Sequence, residues 1–410
     1  MTSLFTDILL CLFDLYVMIP NNMETLRLLS SLVFLIILAG WVYRSWRALS
    51  ELKQAPRLTC QDQEPRVGKV TVLIPAKNEE KNIGDCVQSL LPQLHDGDEI
   101  LVINNCSQDK TEDILKSLGA QQIALGDLPT DPNIRLKYLN TPQTPGGWTG
   151  KNFALHLGIY YAGGDWLLFT DADTRHQPGS VTAAVAFAEK NGVDLLTLLP
   201  RCLADSFWEF LMQPCAMGYT GLWFPVQKIN DPKSRVYFGN GQYMLIRKEH
   251  YQKMGGHASV KEAFLEDFAL MKKTKKIGAR GICAFGMDIY GTRMYDSYGS
   301  IWRGWRRIFL HGFEQKPLPL LRCALSVFFF SVFPFIAFIC LLAKTTALSV
   351  PMVLTLAILG IMFATAWKAY SIVKAKKAYA FLHPFAALIL FMILLDALQM
   401  AILKRPTHWR

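Results

Sequence analysis

Two aspartates lie one residue apart in "FTDADT", residues 169–174, directly after an apolar run that is typical of a buried strand. On an extended chain, residues two apart point to the same side, so Asp171 and Asp173 could hold one ligand together. Hard cations such as Mg²⁺ and Mn²⁺ prefer carboxylate and phosphate oxygens. An aspartate-rich turn is the plain alternative, but α/β sheets bind ligands where strands end. The spacing therefore predicts a divalent metal site beside a phosphorylated ligand.

A second acidic pair, Glu266 and Asp267, stands in "FLEDFALMKK", residues 264–273, where a helix is predicted to begin. One of these carboxylates could act as a general base that accepts a proton from an attacking hydroxyl group. Acidic residues also favour the first turn of a helix because of the helix dipole, so two helix-initiating acids are the alternative. The preceding "GGH", residues 255–257, would provide the mobile hinge that such a site uses.

Two asparagines occupy a turn in "LVINNCSQDKTED", residues 101–113, which begins as a buried strand and continues into a helix. Asn104 and Asn105 stand at the strand's carboxyl end, where a ligand would bind. A nucleotide site would more usually present a carboxylate there. The turn is therefore either a binding turn with changed chemistry or a plain polar loop.

A lysine, Lys151, follows three glycines in "GGWTGK" at the start of a predicted helix. Helix N-termini bind phosphate well because their N–H groups and dipole favour negative charge, and the lysine would add a positive charge. We interpret Lys151 as a phosphate contact, with an ordinary surface lysine as the alternative.

The elements that would position these side chains alternate along residues 69–200. Ser107 and Gly119 are the expected ends of one helix. The predicted strands are 70–74, 98–105, 133–140, 165–173 and 193–200, and the predicted helices are 79–91, 107–119, 149–163 and 177–192. Strands that alternate with helices predict an α/β fold with a parallel, doubly wound sheet. Residues 205–225 break the pattern at Pro214 and predict an amphipathic segment on a membrane surface, or else a buried core helix.

The composition predicts a membrane protein, since 51% of the residues are hydrophobic and the mean hydropathy is +0.20. Uncharged or nearly uncharged runs cover residues 28–43 and approximately 323–343, 347–367 and 380–403. Each approaches the roughly 20 apolar residues that span a bilayer, and their position at the two chain ends disfavours buried core helices. The short run 7–19 predicts an interfacial helix or part of the first span.

The chain is predicted to have five parts: an N-terminal membrane segment 1–47, a linker 48–68, an α/β domain 69–290, an interfacial segment 291–320 and C-terminal transmembrane helices 321–410. Lysines and arginines that follow the first run place the middle region in the cytoplasm. The basic C-terminal "KRPTHWR" opposes this orientation, so one C-terminal run could be re-entrant.

The charge and the cysteines exclude two other classes. The net charge of +10 suits an anionic membrane surface. The sequence shows no basic, aromatic-rich face of the kind that binds nucleic acid. The nine cysteines form no C-x-x-C pair, which predicts reduced, buried thiols and no zinc site.

The order of the motifs, "IPAKNEE", "INNCSQDKT", "GWTGKNFA", "TDADT" and "GGH…LEDFAL", resembles the inverting family 2 glycosyltransferases with a GT-A fold. The resemblance covers roughly residues 69–290. The combination of "GWTGK" with C-terminal spans is similar to the membrane-bound subgroup that glycosylates carotenoids, hopanoids and other lipids. The resemblance implies a Rossmann-like GT-A domain, a nucleotide-sugar donor such as a UDP-sugar, and a divalent metal, Mg²⁺ or Mn²⁺.

The resemblance also implies a role for each motif. Asp171 and Asp173 would hold the ribose, the diphosphate and the metal. Asp267 would be the base, and its neighbour Glu266 is the second candidate for that role. The residues implied in donor binding are Pro75, Ala76, Asn78, Glu79, Asn104, Asn105, Lys151, Asp171, Arg303 and Trp305.

Two departures from the family pattern matter. The family usually has a carboxylate at Asn104 and Asn105 that accepts a hydrogen bond from the uracil imide. An asparagine carbonyl can still accept that bond, without charge assistance. Processive members carry a Q-x-x-R-W signature, whereas "SIWRGWRRIF", residues 300–309, has Arg303 and Trp305 but no such glutamine. We interpret this segment as an acceptor or donor-phosphate segment of a non-processive enzyme, with an interfacial anchor as the alternative.

Together, these expectations predict an integral membrane enzyme with a cytoplasmic catalytic domain. It would transfer a sugar, with inversion, from a nucleotide-sugar to a hydroxyl group of a lipid acceptor. A transferase that builds a polysaccharide is one alternative, although four spans and the missing glutamine argue against it. A non-catalytic membrane scaffold with a degenerate GT-A domain is another, and the asparagine pair is its best support.

Overall fold

The computed structural model describes residues 24–61, 66–126, 134–344 and 349–405, and they form two compact units. Within those limits, the α/β unit comprises Glu51–Ser206 and Trp223–Glu314. The helical unit comprises the described residues up to Ser50 together with Phe207–Leu222 and Gln315–Arg405. The predicted interfacial segment 291–320 is divided between the two units after residue 314. The helix predicted in residues 7–19 lies outside the described residues.

Two sheets lie in the α/β unit. Their strands are β1 (Val70–Ala76), β2 (Glu99–Asn104), β3 (Gln121–Ile123), β4 (Leu136–Asn140), β5 (Trp166–Phe169), β6 (Thr174–His176), β7 (Leu195–Leu199), β8 (Arg201–Cys202), β9 (Met244–Arg247), β10 (Gly281–Phe285) and β11 (Tyr290–Thr292). The larger sheet has the order β10-β7-β9-β5-β1-β2-β4-β3, and the smaller has the order β6-β11-β8.

The larger sheet is mixed, because β9 runs antiparallel to both of its neighbours, β5 and β7. The remaining neighbours in this sheet are parallel. The prediction of a wholly parallel sheet is therefore wrong at β9, a strand that the sequence analysis does not predict. Met244, Leu245 and Ile246 of β9 are all buried, so their composition resembles that of a buried parallel strand. Its direction depends on the route of the chain, which local composition does not encode.

The helices precede, connect or follow these strands. They are α1 (Glu24–Gln54), α2 (Ile83–Leu90), α3 (Thr111–Ser117), α4 (Gly150–Gly158), α5 (Ser180–Lys190), α6 (Phe207–Trp223), α7 (Val226–Asn230), α8 (Lys248–Lys253), α9 (Glu266–Lys276), α10 (Tyr298–Gly312), α11 (Pro317–Val327), α12 (Phe333–Lys344), α13 (Val350–Ile372) and α14 (His383–Ile402). Both α2 and α3 begin four residues later than the sequence predicts.

The late helix starts have a common cause in the two polar turns that follow β1 and β2. Ser107 Oγ accepts a hydrogen bond from the N–H of Asn78 at 2.9 Å. Asp109 Oδ2 accepts one from the N–H of Glu80 at 3.0 Å. Ser107 therefore joins the two turns instead of capping α3, and tertiary hydrogen bonds override a favourable local cap.

The central strand β1 continues through Pro75, whereas the sequence analysis ends it there. Leu73 is the last residue of β1 that pairs with β5, and its carbonyl accepts from the N–H of Thr170 at 3.1 Å. Backbone groups of successive strand residues face alternate sides. The N–H that Pro75 lacks would face the β5 side, beyond the last pair, so the proline costs no ladder bond.

Helices cover both faces of the larger sheet. Val70, Val72 and Ile74 of β1 point into a core shared with α2, α3 and α5. Leu73 points to the opposite face, into a second core shared with α4, α8 and α9. Alternate strand residues face opposite sides, and burial on both sides explains why the strands are almost continuously apolar. This arrangement matches the predicted doubly wound architecture.

Four helices in the described residues are long and apolar enough to cross a membrane: Ser30–Gln54, Pro317–Ala343, Val350–Ile372 and Lys377–Ile402. They overlap the four apolar runs predicted as spans, with ends that differ by a few residues. Large apolar side chains, including Leu32 and Ile36, are exposed on the surface of the helical unit. Exposed apolar area of this kind marks a surface that contacts lipid or another protein.

The aromatic segment around Pro214 forms one helix, α6, with a buried face. Leu211, Cys215 and Tyr219 are buried within the helical unit. The hydroxyl of Tyr370 donates to the carbonyl of Leu211 at 3.1 Å, which satisfies an acceptor close to the proline. Neighbouring side chains of this kind allow proline inside apolar helices, and the burial agrees with the core-helix alternative for this segment.

Two adjacent glycines before β5 provide a test of the packing against β1. A Cβ atom on Gly164 would lie 2.5 Å from the backbone N of Thr71, whereas a Cβ on Gly163 would meet only the Glu99 carboxylate at 3.4 Å. Gly164→Ala is expected to lower the free energy of unfolding by about 1–3 kcal/mol because backbone must move. Gly163→Ala lowers the conformational entropy of the unfolded chain by the same amount but causes no such clash. The measurement is denaturant unfolding of both variants. Equal free energies of unfolding would contradict this account of the packing.

Candidate active site

The turn that carries Asp171 and Asp173 connects β5 to β6 and is held by hydroxyl groups. Thr174 Oγ1 donates to the carbonyl of Asp171 at 2.8 Å, and Thr170 Oγ1 donates to the carbonyl of Gln242 at 2.7 Å. His176 Nε2 lies 3.0 Å and 3.2 Å from the Thr174 and Thr170 hydroxyl oxygens. Sequence reasoning missed these residues, although the threonines on both sides of "DAD" were a possible signal.

Asp173 has a side-chain oxygen that no described residue satisfies. Its Oδ1 is shielded from solvent and has no hydrogen-bond partner among the described residues. Burial and the nearby charges of Asp171 and Glu79 raise the pKa of Asp173 to about 7. No group of three or more potential metal ligands gathers in the described part of the chain. The residues therefore fit a cation that takes one or two carboxylates from the protein and the rest from a phosphorylated ligand, as Mg²⁺ commonly does.

Lys151 joins the two acidic motifs. Its Nζ lies 2.6 Å from Asp171 Oδ1 and 2.7 Å from Glu266 Oε1. Burial alone would lower the pKa of Lys151, but the two carboxylates raise it above its usual value. The hydroxyl of Thr149 accepts from the N–H of Asn152 and caps α4, which fixes the lysine at the first turn. An ordinary solvated lysine is excluded by these contacts, because the side chain is only 15% exposed.

Asp267 is next to this bridge but does not share its cation. Its Oδ2 accepts from the N–H of Gly241 and its Oδ1 from the N–H of Phe268, both at 2.8 Å. Burial and the charge of Glu266 raise the pKa of Asp267 to about 7, although Lys151 and the two hydrogen bonds oppose the rise. A carboxylate with a pKa near neutrality suits a general base. Glu266, in contrast, forms a direct ion pair with Lys151.

The stretch "GNGQ", residues 239–242, packs its backbone closely against Asp267. The sequence analysis missed this stretch. A Cβ atom on Gly239 would collide with the backbone carbonyl of Asp267. A Cβ on Gly241 would lie 3.0 Å from Lys151 Nζ and 3.1 Å from Glu266 Oε1. Only glycine allows such a close approach, and a pair of glycines between polar residues was the available signal.

A small cavity lies among these groups. Its lining residues are Pro75, Lys151, Leu155, Phe169, Thr170, Asp171, Gly241, Met244, His257, Glu266, Asp267 and Leu270. His257 is fully buried, and its Nδ1 lies 2.7 Å from Tyr251 Oη. Burial and the charge of Lys151 lower the pKa of His257 to about 3, so the imidazole is neutral. The cavity thus combines carboxylates, an ammonium group and a neutral imidazole.

The segment that leads to Glu266 is anchored to α4. Asn152 Nδ2 donates to the carbonyls of Val260, Lys261 and Ala263 at 2.8, 3.1 and 3.0 Å. Upstream, Gly255 and Gly256 both have positive φ, and a Cβ on Gly256 would lie 2.5 Å from the Tyr251 ring. The predicted hinge at "GGH" is therefore a closely packed turn in this structure. Asn152, which directly follows Lys151, is a further positioning residue that sequence reasoning missed.

The residues predicted to follow the nucleotide lie at the carboxyl ends of β1 and β2 and in the turns that follow these strands. The carbonyl of Ala76 accepts from the N–H of Asn105 at 2.8 Å, and Asn78 has a φ of 58°. Asn105 Oδ1 accepts from the hydroxyl of Thr141 at 3.0 Å. Asn104 Oδ1, in contrast, is buried with no partner among the described residues. Of the two asparagines, Asn104 therefore keeps its carbonyl oxygen available for a ligand.

Arg303 and Trp305 lie on α10 and do not line the cavity. Trp305 is buried, and its ring stacks on Phe309 with a centroid distance of 5.4 Å, whereas Arg303 is exposed. Residues two apart on a helix point in different directions. Their assignment to the donor or acceptor stays a prediction.

The fold and this cavity can now be compared with known proteins. Residues 71–255 match the family described as "Glycosyl transferase family 2". The chain therefore carries a family 2 glycosyltransferase domain of GT-A fold and is a glycosyltransferase. This confirms the family, fold class and type of enzyme predicted from the motifs.

One curated relative is the 4,4'-diaponeurosporenoate glycosyltransferase of Staphylococcus aureus (strain MRSA252), which is 27% identical over 290 residues, or 70% of this chain and 72% of the relative. Among solved structures, the mannosyltransferase PcManGT of Pyrobaculum calidifontis, in complex with GDP-Man and Mn²⁺, is 16% identical with a TM-score of 0.47, covering 92% of this chain and 100% of that one. Residues 1–349 of S. aureus TarS, in complex with UDP-GlcNAc, are 15% identical with a TM-score of 0.41, covering 83% and 94%.

The lysine bridge can be tested by Lys151→Met, which keeps the length of the side chain and removes its charge. Loss of the shared cation leaves two carboxylates facing each other, so we expect the free energy of unfolding to fall by about 3 kcal/mol at neutral pH. The control is Lys116→Met, because the Lys116–Glu112 pair is exposed on α3 and such pairs contribute little. Equal unfolding midpoints for the two variants in denaturant would show that the bridge does not stabilise the domain.

Proposed function

We propose that this chain transfers a sugar from a nucleotide-sugar donor to a hydroxyl group of a lipid acceptor, with inversion at the anomeric carbon. The observation that carries the proposal is the convergence of three separate motifs on one cavity. Asp171 lies at the carboxyl end of β5, Lys151 at the start of α4, and Asp267 at the start of α9. Such a displacement needs a carboxylate that binds a cation, an ammonium group and a general base.

On the donor side, Asp171 and Asp173 would hold a divalent cation, Mg²⁺ or Mn²⁺, and the unpartnered oxygen of Asp173 supports this assignment. When bound, the cation would neutralise the negative charge that develops on the departing diphosphate. Lys151 would add positive charge on the same side. The unpartnered side-chain oxygen of Asn104 would accept a hydrogen bond from an N–H of the nucleotide base, which suits a uracil imide.

On the acceptor side, Asp267 would take the hydroxyl proton while the acceptor oxygen bonds to the anomeric carbon and the bond to the diphosphate breaks. One displacement of this kind inverts the configuration. The Gly241 and Phe268 N–H groups orient the carboxylate. Glu266 keeps Lys151 in place and, through its charge, raises the pKa of Asp267.

A lipid acceptor and a membrane location are supported together by the relative named for diaponeurosporenoate and by the four long apolar helices. An acceptor that is soluble only in a bilayer requires a catalytic domain held at the bilayer surface. The "-oate" ending of the relative's substrate denotes a carboxylate, so an acceptor carboxylate is the second candidate. A carboxylate has no proton to lose and needs no base.

The base is tested by Asp267→Asn, with Glu266→Gln as the matched control. With a hydroxyl acceptor, a nucleotide-sugar and Mn²⁺, turnover of Asp267→Asn should fall by roughly 10²–10⁴-fold, while donor binding persists. In the wild type, kcat/KM should decrease as the pH falls through about 7, because Asp267 must be unprotonated. Glu266→Gln should retain this acid limb but move it to lower pH, because the charge that raises the pKa of Asp267 is removed.

Three outcomes would revise this assignment. A fully active Asp267→Asn with an inactive Glu266→Gln would move the base to Glu266. Full activity of both variants with a hydroxyl acceptor would remove the motif from the mechanism. Activity of Asp267→Asn with carboxylate acceptors alone would favour the second candidate for the acceptor group.

The cytoplasmic orientation of the α/β unit is tested by labelling Cys106. Cys106 is exposed in the turn after β2, whereas Cys86 is buried and cannot report. A membrane-impermeant maleimide should label Cys106 in inside-out vesicles and leave it unlabelled in right-side-out vesicles, and Cys106→Ser should remove the label at this position. Labelling of Cys106 in sealed right-side-out vesicles would place the domain outside.

A further inference from the structure

The helical unit holds a half-buried guanidinium group that is not fully satisfied. Arg44 of α1 donates from Nη2 to Ser326 Oγ at 2.7 Å, and the guanidinium carbon lies 3.6 Å from the centroid of the Phe330 ring. Arg44 Nη1 is shielded from solvent and finds no hydrogen-bond partner among the described residues. A buried charge without a counter-ion is costly, so the pocket around Arg44 is incomplete without an anion.

Polar side chains from other helices line the same region of this apolar unit. Tyr219 Oη lies 2.6 Å from Ser331 Oγ, and Ser331 Oγ lies 3.2 Å from His383 Nε2. Tyr219, Ser331 and His383 are all buried, and the Tyr219 phenol adjoins the Arg44 guanidinium. Segments from α1, α6, the stretch that joins α11 to α12, and α14 therefore build one polar pocket.

The pocket lies towards the basic end of the helical unit. Ser45, next to Arg44, contacts Thr365 with 2.6 Å between the hydroxyl oxygens, and Lys368 follows Thr365 within one helical turn. His383 begins α14, a few residues after Lys374, Lys376 and Lys377 in the sequence. Basic residues gather where helices meet the anionic surface of a bilayer. The pocket is thus at the depth of lipid headgroups if the unit lies in a membrane.

We propose that Arg44, Ser326 and Tyr219 bind the phosphate group of an anionic phospholipid between the helices. The guanidinium fork matches the geometry of phosphate oxygens and forms charge-assisted hydrogen bonds. The free Nη1–H supplies a first donor, and the two hydroxyl groups supply others. The proposal requires the helical unit to lie in a bilayer but does not depend on the sugar-transfer reaction.

The test measures lipid binding by the full chain in mixed micelles of detergent and zwitterionic phosphatidylcholine. Phosphatidylglycerol is titrated, and the bound molecules are counted by native mass spectrometry. Arg44→Gln should weaken phosphatidylglycerol binding by roughly 10–100-fold, the loss expected for a charge-assisted hydrogen bond. Arg322→Gln, which removes an exposed arginine from α11, is the matched control and should bind as the wild type does. Tyr219→Phe should weaken binding by roughly 2–10-fold.

Other outcomes of the lipid-binding measurement would contradict the phosphate site. Equal retention of phosphatidylglycerol and phosphatidylcholine by the wild type would overturn it, as would wild-type binding by both Arg44→Gln and Tyr219→Phe. If Arg44→Gln does not fold, Tyr219→Phe decides alone. Millimolar inorganic phosphate that displaces the lipid would show a site for free phosphate instead. Asp7 and Asp14 of the N-terminal run 7–19 lie outside the described residues. Asp7→Asn/Asp14→Asn should leave binding unchanged, and stronger lipid binding would count against the proposal by showing that the chain itself supplies the counter-ion.

Discussion

The active cavity depends on a single buried ammonium group that two carboxylates share. Lys151 lies 2.6 Å from Asp171 and 2.7 Å from Glu266, so it connects the turn after β5 with the start of α9. Like charges at that distance would repel strongly in a poorly solvated site. The lysine therefore permits the two acidic motifs to approach, and α4 fixes its position through the Thr149 cap and the bonds from Asn152 to the segment before Glu266.

The same bridge gives neighbouring acids different properties. Glu266 forms an ion pair with Lys151, while Asp267 is left with backbone donors and a pKa raised to about 7. Asp171 is paired with Lys151, while Asp173 keeps an oxygen without a partner and also has a pKa raised to about 7. One cation thus separates each acidic pair into a member with an ion pair and a member with a raised pKa. Environments that differ in this way allow titratable neighbours to have distinct roles.

The two units differ in how they pair the positively charged side chains that they shield from solvent. In the α/β unit the ammonium of Lys151 is fully paired within the protein. In the helical unit the guanidinium of Arg44 contacts the Ser326 hydroxyl, the Tyr219 phenol and the Phe330 ring, and its Nη1 is unsatisfied among the described residues. Proteins rarely leave a buried charge uncompensated unless a ligand or an environment completes it. Among the described residues, the cation of the α/β cavity is thus paired with carboxylates of the protein, whereas Nη1 of Arg44 in the helical unit has no partner.

The amino-acid sequence by itself determined the alternation of strands and helices, the four long apolar helices and the acidic motifs at strand and helix ends, because these follow from local periodicity and composition. It did not determine the antiparallel direction of β9, the passage of β1 through Pro75, or the use of Ser107 as a link between turns instead of a cap. Nor did it reveal that Lys151 pairs with Asp171 and Glu266 or that Asn152 and Gly239 position the acids. These features depend on which distant segments become neighbours, and only the tertiary structure decides which hydrogen bonds, charges and close approaches are available at each residue.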